Sequence, residues 1–220
     1  MPPITNWRIK ILFIYQLATR YVPITNWQHI QHIHMAGGTT TILLKKFTEK
    51  DLVLLGNFIK KNCKINEKGV HFWDIHTANK KIKPHGSNGD LRPFVITFFE
   101  KKSDIDDDLD NQTLIKNLGY SNTCAIDVSA MCSDAIDQRL LAELTLQFAE
   151  MFNGLIYLNG LLTPPNSSNY EDALVFAKSI KGETYFATYT LENGKKWANQ
   201  IVNPTYLKNW LVHENFRMIK

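Results

Sequence analysis

The stretch SDAIDQRLLAELTLQFAEMFNGLIYL, residues 133–158, decides the fold. Ser133 or Asp134 is placed to cap a helix, because a short oxygen-bearing side chain there accepts from the first free backbone N–H groups. Ile136, Leu140, Leu144, Phe148 and Met151 or Phe152 then recur at helical spacing and predict one core-facing stripe. The helix ends near Asn153-Gly154, and residues 155–158 return as a short apolar strand.

Working outward, the same alternation of element types continues. TTTILL, residues 39–44, reads as a strand. Thr48 is an N-cap with Asp51 three residues on, close to a capping box, and the helix runs to about Asn62 with Leu52, Leu55, Phe58 and Ile59 as its buried stripe. Residues 70–75 and 93–101 read as strands, VITFF being the most strand-like run in the chain, and KPHGSNGDLR (83–92) is a turn-rich connection between them. An acidic loop (103–112) and a short helix (113–119) precede a strand at 124–131. TPPNSSN (163–169) is a surface loop, and residues 184–190 and 197–202 flank a turn at Glu192-Asn193-Gly194 as a hairpin. Pro204 suits the first turn of a last helix. Strands and helices intermixed with a hairpin predict an α+β fold, a single domain with a mixed, largely antiparallel sheet and helices packed on one face.

At 220 residues and 44% hydrophobic composition, such a domain buries enough apolar surface to stand without disulfides. Cys63, Cys124 and Cys132 are odd in number and widely spaced, which excludes a disulfide framework and fits a reducing compartment. A net charge of +4 gives no case for nucleic acid as partner. Residues 1–34 hold Arg8, Lys10 and Arg20 and no acid, which leaves 22 basic against 21 acidic residues in the rest. PITNW occurs at 3–7 and again at 23–27, but similarity stops after five residues, so a repeat architecture is not indicated. ILFIYQLAT between the copies is far shorter than a membrane span, and Gln16 and the lack of a cleavage site argue against a signal peptide. His29, His32 and His34 follow in a His-rich leader. Met35 opens MAGGTTTILL like a natural start. Residues 1–34 are therefore expected to be a leader outside the core, and 35–220 the domain.

Three clusters invite chemistry. In HFWDIH, Asp74 and His76 share one face of a strand and His71 takes the other; a metal-dependent hydrolase using Asp74 and His76 would need a third ligand, and His85 lies in a Gly-rich loop. SDIDDDLDN fails as a calcium loop, because Leu109 and Ile115 stand where Gly and Glu are required. Asp104, Asp106, Asp107, Asp108 and Asp110 instead present negative potential to a basic partner, with Trp73 and Tyr170 as candidate aromatic anchors. Cys132 precedes the long helix, but Asp134 and Asp137 oppose its thiolate. No nucleophile elbow, phosphate loop, dinucleotide fingerprint or H-E-x-x-H occurs, so no catalytic residue, metal or cofactor is assigned. In the tail, Phe216, Met218 and Ile219 alternate with Arg217 and Lys220 as in a short edge strand, or dock as an ordered end.

TTTILL after Met35, the run DQRLLAELTLQFAEMFNGLIYLNGLL and the ending W-x-x-H-x-x-F-R-M-I-K resemble a family of uncharacterised bacterial proteins, over roughly residues 35–220. The sequence departs from that pattern at Tyr157, where an acid is expected. Proteins of this kind resemble immunity proteins of polymorphic-toxin and contact-dependent systems. The resemblance implies a cytoplasmic protein that neutralises a cognate toxin by direct binding, without a cofactor, nucleic acid or membrane. A non-catalytic regulatory interaction module is the other non-enzymatic reading.

Overall fold

The computed structural model describes residues 37–77, 91–99, 116 and 124–218. In chain order the elements are β1 (Thr39–Leu44), α1 (Glu49–Asn62), β2 (Cys63–Lys68), β3 (Phe72–Thr77), β4 (Pro93–Phe99) and β5 (Cys124–Ala130). They continue with α2 (Ala135–Phe152), β6 (Leu155–Tyr157), α3 (Tyr170–Ser179), β7 (Thr184–Thr190), β8 (Lys196–Val202) and α4 (Pro204–Leu211). The eight strands form one sheet in the order β2-β3-β4-β5-β1-β6-β8-β7. Every pairing among them is antiparallel, so the sheet is not mixed within the described residues. The fold is α+β.

Alternation along the strands sorts side chains onto two faces. Ile42 and Leu44 of β1 and Ile126 and Val128 of β5 meet Leu140, Leu144 and Phe148 of α2. Leu55 and Ile59 of α1 and Leu207 and Trp210 of α4 complete this core. Thr40 on β1 and Thr145 on α2 share a hydroxyl hydrogen bond inside it. The other face carries Leu43 and Ile201, packed among Leu155, Tyr157 and Tyr185. There Thr41 donates to Asp127 at 2.6 Å.

Both long helices start where their caps place them. Thr48 accepts from the Asp51 N–H while the Asp51 carboxylate accepts from the Thr48 N–H. Asp134 and Asp137 reciprocate in the same way at α2. Asn153 ends α2 in the left-handed region at φ 51°. Gly154 follows because a Cβ there would lie 2.5 Å from Ile42 and 2.7 Å from Leu44.

The structure adds two elements to those read from the sequence, moves the start of one strand and decides between the two readings of the tail. The residues after α1 continue as β2 without a connection, since Asn62 ends the helix and Cys63 begins the strand. CKINEK is mostly polar because β2 is an edge strand with only Cys63 fully buried, so it gave no apolar alternation to read. The next strand begins at Phe72, because residues 69–72 form the turn, with Gly69 N–H bonded to Phe72 O at 3.0 Å. The loop at 163–169 leads into an additional helix, α3, capped by Asn169 accepting from Asp172 N–H. Of the two readings of the tail, residues 216–218 follow the docked end and not the edge strand: Met218 is buried and its N–H donates to the Gln138 side chain, and Arg217 O accepts from the Trp210 indole. Among the described residues, no helix is long and apolar enough to cross a membrane.

Candidate functional site

α1 turns its apolar stripe inward, yet its outer surface is also apolar. Val53 is 62% exposed, and Leu54 beside it is exposed as well. Neither residue belongs to the buried stripe that Leu55 and Ile59 mark. The β2–β3 turn adds Val70, 76% exposed. Between helix and turn lies a shallow groove of about 240 Å³, lined by Leu52, Val53, Gly56, Asn57, Lys60, Lys68, Val70 and Trp73.

Its geometry comes from three local choices. Gly56 sits in the middle of α1 with open space where a Cβ would be, so the helix surface is recessed there. The register of β2 shifts between Ile65 and Glu67, which brings Lys68 opposite Trp73. Lys68 Nζ then lies 5.8 Å from the Trp73 ring centroid, within cation–π range. Lys60 supplies a second cation on the rim. The surrounding segment 45–68 holds seven lysines against Glu49, Asp51 and Glu67.

The residues singled out from sequence fall in different places. Asp104, Asp106, Asp107, Asp108 and Asp110 lie outside the described residues, as do the helix at 113–119 apart from Lys116, most of the 83–92 connection, His29, His32, His34 and His85. Trp73 is only 2% exposed, because strand alternation turns it to the helix side with Ile75. It is the floor of the groove and not a protruding anchor. Tyr170 opens α3, half-buried, with its ring 6.4 Å from that of Trp197 on β8. Burial, and then Glu171, push its phenol up from the ordinary value. Trp73 stands in the second strand and Trp197 in the seventh, five strand spacings or about 24 Å apart. The two aromatics therefore belong to separate surfaces.

Asp74 and His76 do share a face of β3, and Asn66 joins them. Its amide lies 2.6 Å from His76 Nδ1 and 3.3 Å from Asp74 Oδ1. No group of three side chains able to hold a metal occurs among the described residues. His71 lies in the turn and contributes its carbonyl to Phe98 N–H. Cys63 and Cys124 are buried thiols, and burial pushes Cys63 up to about 12. His213 accepts from Asn215 N–H and stacks beside Trp210 at 5.0 Å, a structural role in the tail.

The groove went unseen in the sequence because Val53 and Leu54 were absorbed into a helix that already had its stripe. The signal was present in LVLLG, an unbroken apolar run ending in a mid-helix glycine. Four successive apolar residues exceed what one face of a helix can bury.

None of the curated proteins and none of the solved structures matches the chain. A family model described as a family of unknown function, DUF6368, matches residues 36–220, and the chain belongs to that family.

Proposed function

We propose that the protein is a cytoplasmic immunity protein that neutralises a cognate toxin by direct binding. The groove beside α1 is the observation that carries this reading. A recessed apolar surface with Val53 and Val70 exposed has no role in the protein's own core. Apolar patches of this kind, rimmed by polar groups, mark sites of protein association. Lys60 and Lys68 on the rim select the occupant: an apolar side chain of the toxin flanked by carboxylates. The acidic run Asp104, Asp106, Asp107, Asp108 and Asp110 serves a separate purpose, drawing in a basic part of the toxin at long range.

The test is rescue. A toxin-like domain, sought in the reading frame neighbouring this one, is expressed in a bacterial host with the wild-type protein, with Val53→Asp or with Val70→Asp. Wild type is expected to restore growth, and the variants to fail while melting as wild type does. Absence of rescue by wild type removes the immunity reading. Full rescue by both variants removes the groove from it.

A further inference from the structure

The two edges of the sheet are built differently. β2 carries Lys64, Glu67 and Lys68, and its register shifts between Ile65 and Glu67. Charges and a bulge on an edge strand discourage pairing with another chain. β7 has neither. Its sequence TYFATYT holds no charge and no proline, and all seven residues pair with β8 without a break in register.

The direction of the β7 backbone groups follows from its neighbour. Gln200 in β8 donates its N–H to Gly160 O at 2.9 Å, and its carbonyl accepts from Leu158 N–H at 3.0 Å. Its peptide groups therefore face away from β7. Alternation turns those of Asn199 and Ile201 towards β7, where Ala187 and Tyr185 stand opposite. The same phase holds at both ends, where Asn203 N–H reaches Glu183 O and Leu191 N–H reaches Lys195 O. The amides and carbonyls of Thr184, Phe186, Thr188 and Thr190 consequently point out of the sheet edge.

We propose that β7 pairs antiparallel with β7 of a second copy of this chain, about a two-fold axis at Ala187. In that register Thr184 opposes the partner's Thr190, and Phe186 opposes the partner's Thr188. All four outward-pointing residues then fall in hydrogen-bonded pairs, and no charged side chain of the strand meets its own copy. An uncharged strand that matches itself when reversed favours a second copy over a foreign strand. β2 cannot do this, because Lys64 and Lys68 would repel their counterparts. The axis stands perpendicular to the sheet, so the sheet continues across it with both helix layers on one side. The grooves, formed beside β2 and β3, lie at the two far ends of such a dimer.

Sedimentation of the full chain over a dilution series tests this. Wild type is expected at twice the chain mass when concentrated. Thr188→Pro removes only an outward N–H, which an edge strand tolerates, and is expected to melt as wild type does while sedimenting as a monomer. Thr188→Lys places like charges on both sides of the axis and is expected to give the same monomer; it decides the matter if proline unfolds the hairpin. A wild-type chain that stays monomeric, or a mass other than the dimer, overturns the proposal. So does a dimer that persists in folded Thr188→Lys.

Discussion

The Nη1 of Arg92 lies 3.8 Å from Oδ2 of Asp137, a carboxylate with no exposed surface. The same guanidinium nitrogen lies 3.0 Å from Asp134 at the start of α2. Arg92 Nε and Asp137 Oδ1 are both buried without a hydrogen-bond partner. Burial, and then hydrogen bonding to Asp134, push the Asp137 carboxyl above its ordinary value, while hydrogen bonds to Asp137 hold Asp134 below its own. One cation thus offsets a buried charge that the fold could otherwise shed only by protonation.

Arg92→Met follows directly. Removing the cation leaves Asp137 buried and unpaired, at a cost of about 3 kcal/mol at neutral pH. A carboxyl whose folded pKa is raised contributes stability below its unfolded value of about 3.9 and loses it as pH rises through the folded value. The variant's deficit is therefore expected to shrink as pH falls from neutral towards the ordinary carboxylate range. Asp134, with its pKa lowered, stays ionised in that window. Thermal melts of both proteins across that range check it; a deficit independent of pH would contradict the assigned charge.

Tyr206 ties α4 to α3 and β8 from inside the core. Its hydroxyl donates to Ala177 O at 2.8 Å and accepts from Gln200 Nε2 at 2.8 Å. Tyr206→Phe strands the Ala177 carbonyl and part of the Gln200 amide, which costs about 1–3 kcal/mol. Denaturant unfolding measures this as a lower midpoint with an unchanged slope.

Gly56 separates stability from binding. With nothing beyond its chain neighbours and its own helix backbone within 4 Å of its missing Cβ, Gly56→Ala fits without strain. Alanine in a helix interior gains about 0.5–1 kcal/mol over glycine. The variant is expected to melt higher and, under the proposed immunity function, to protect less well, since the methyl group fills the recess. Equal or better protection would show that the recess receives nothing.

The acidic run makes a kinetic prediction. Reversing Asp106, Asp107 and Asp108 to lysine is expected to slow association with the proposed toxin partner roughly tenfold at low salt and to flatten its salt dependence. Stopped-flow binding over a salt series reads both; an unchanged on-rate would remove steering from the run's role.

The elements that bury a full stripe were legible in the sequence. Thr48 and Asp134 cap where their side chains predict, and TTTILL pairs over its whole length as β1. What escaped was set by position in the sheet. CKINEK reads as polar because an edge strand needs only one buried side chain, here Cys63. α3 hides behind the prolines and serines of 163–169, and its small buried residues Ala173 and Ala177 make a faint stripe. The groove was missed for the opposite reason: Val53 looks like core until the helix is given a direction.

β1 is the first described strand and stands fifth in the sheet, between β5 and β6. Its partner Cys124 is 80 residues downstream of Leu44, and the Asn159 side chain that holds Thr39 O is 120 residues away. Of the described strands, a chain made from its N-terminus therefore exposes a central one first, and its two sheet neighbours, β5 and β6, follow only after much of the domain. Long-range pairings of this kind slow folding and leave apolar strands uncovered while they wait. Among the described core residues, the arrangement makes those of β1, Ile42 and Leu44 included, the first a chaperone would meet, and places the commitment to fold late in synthesis.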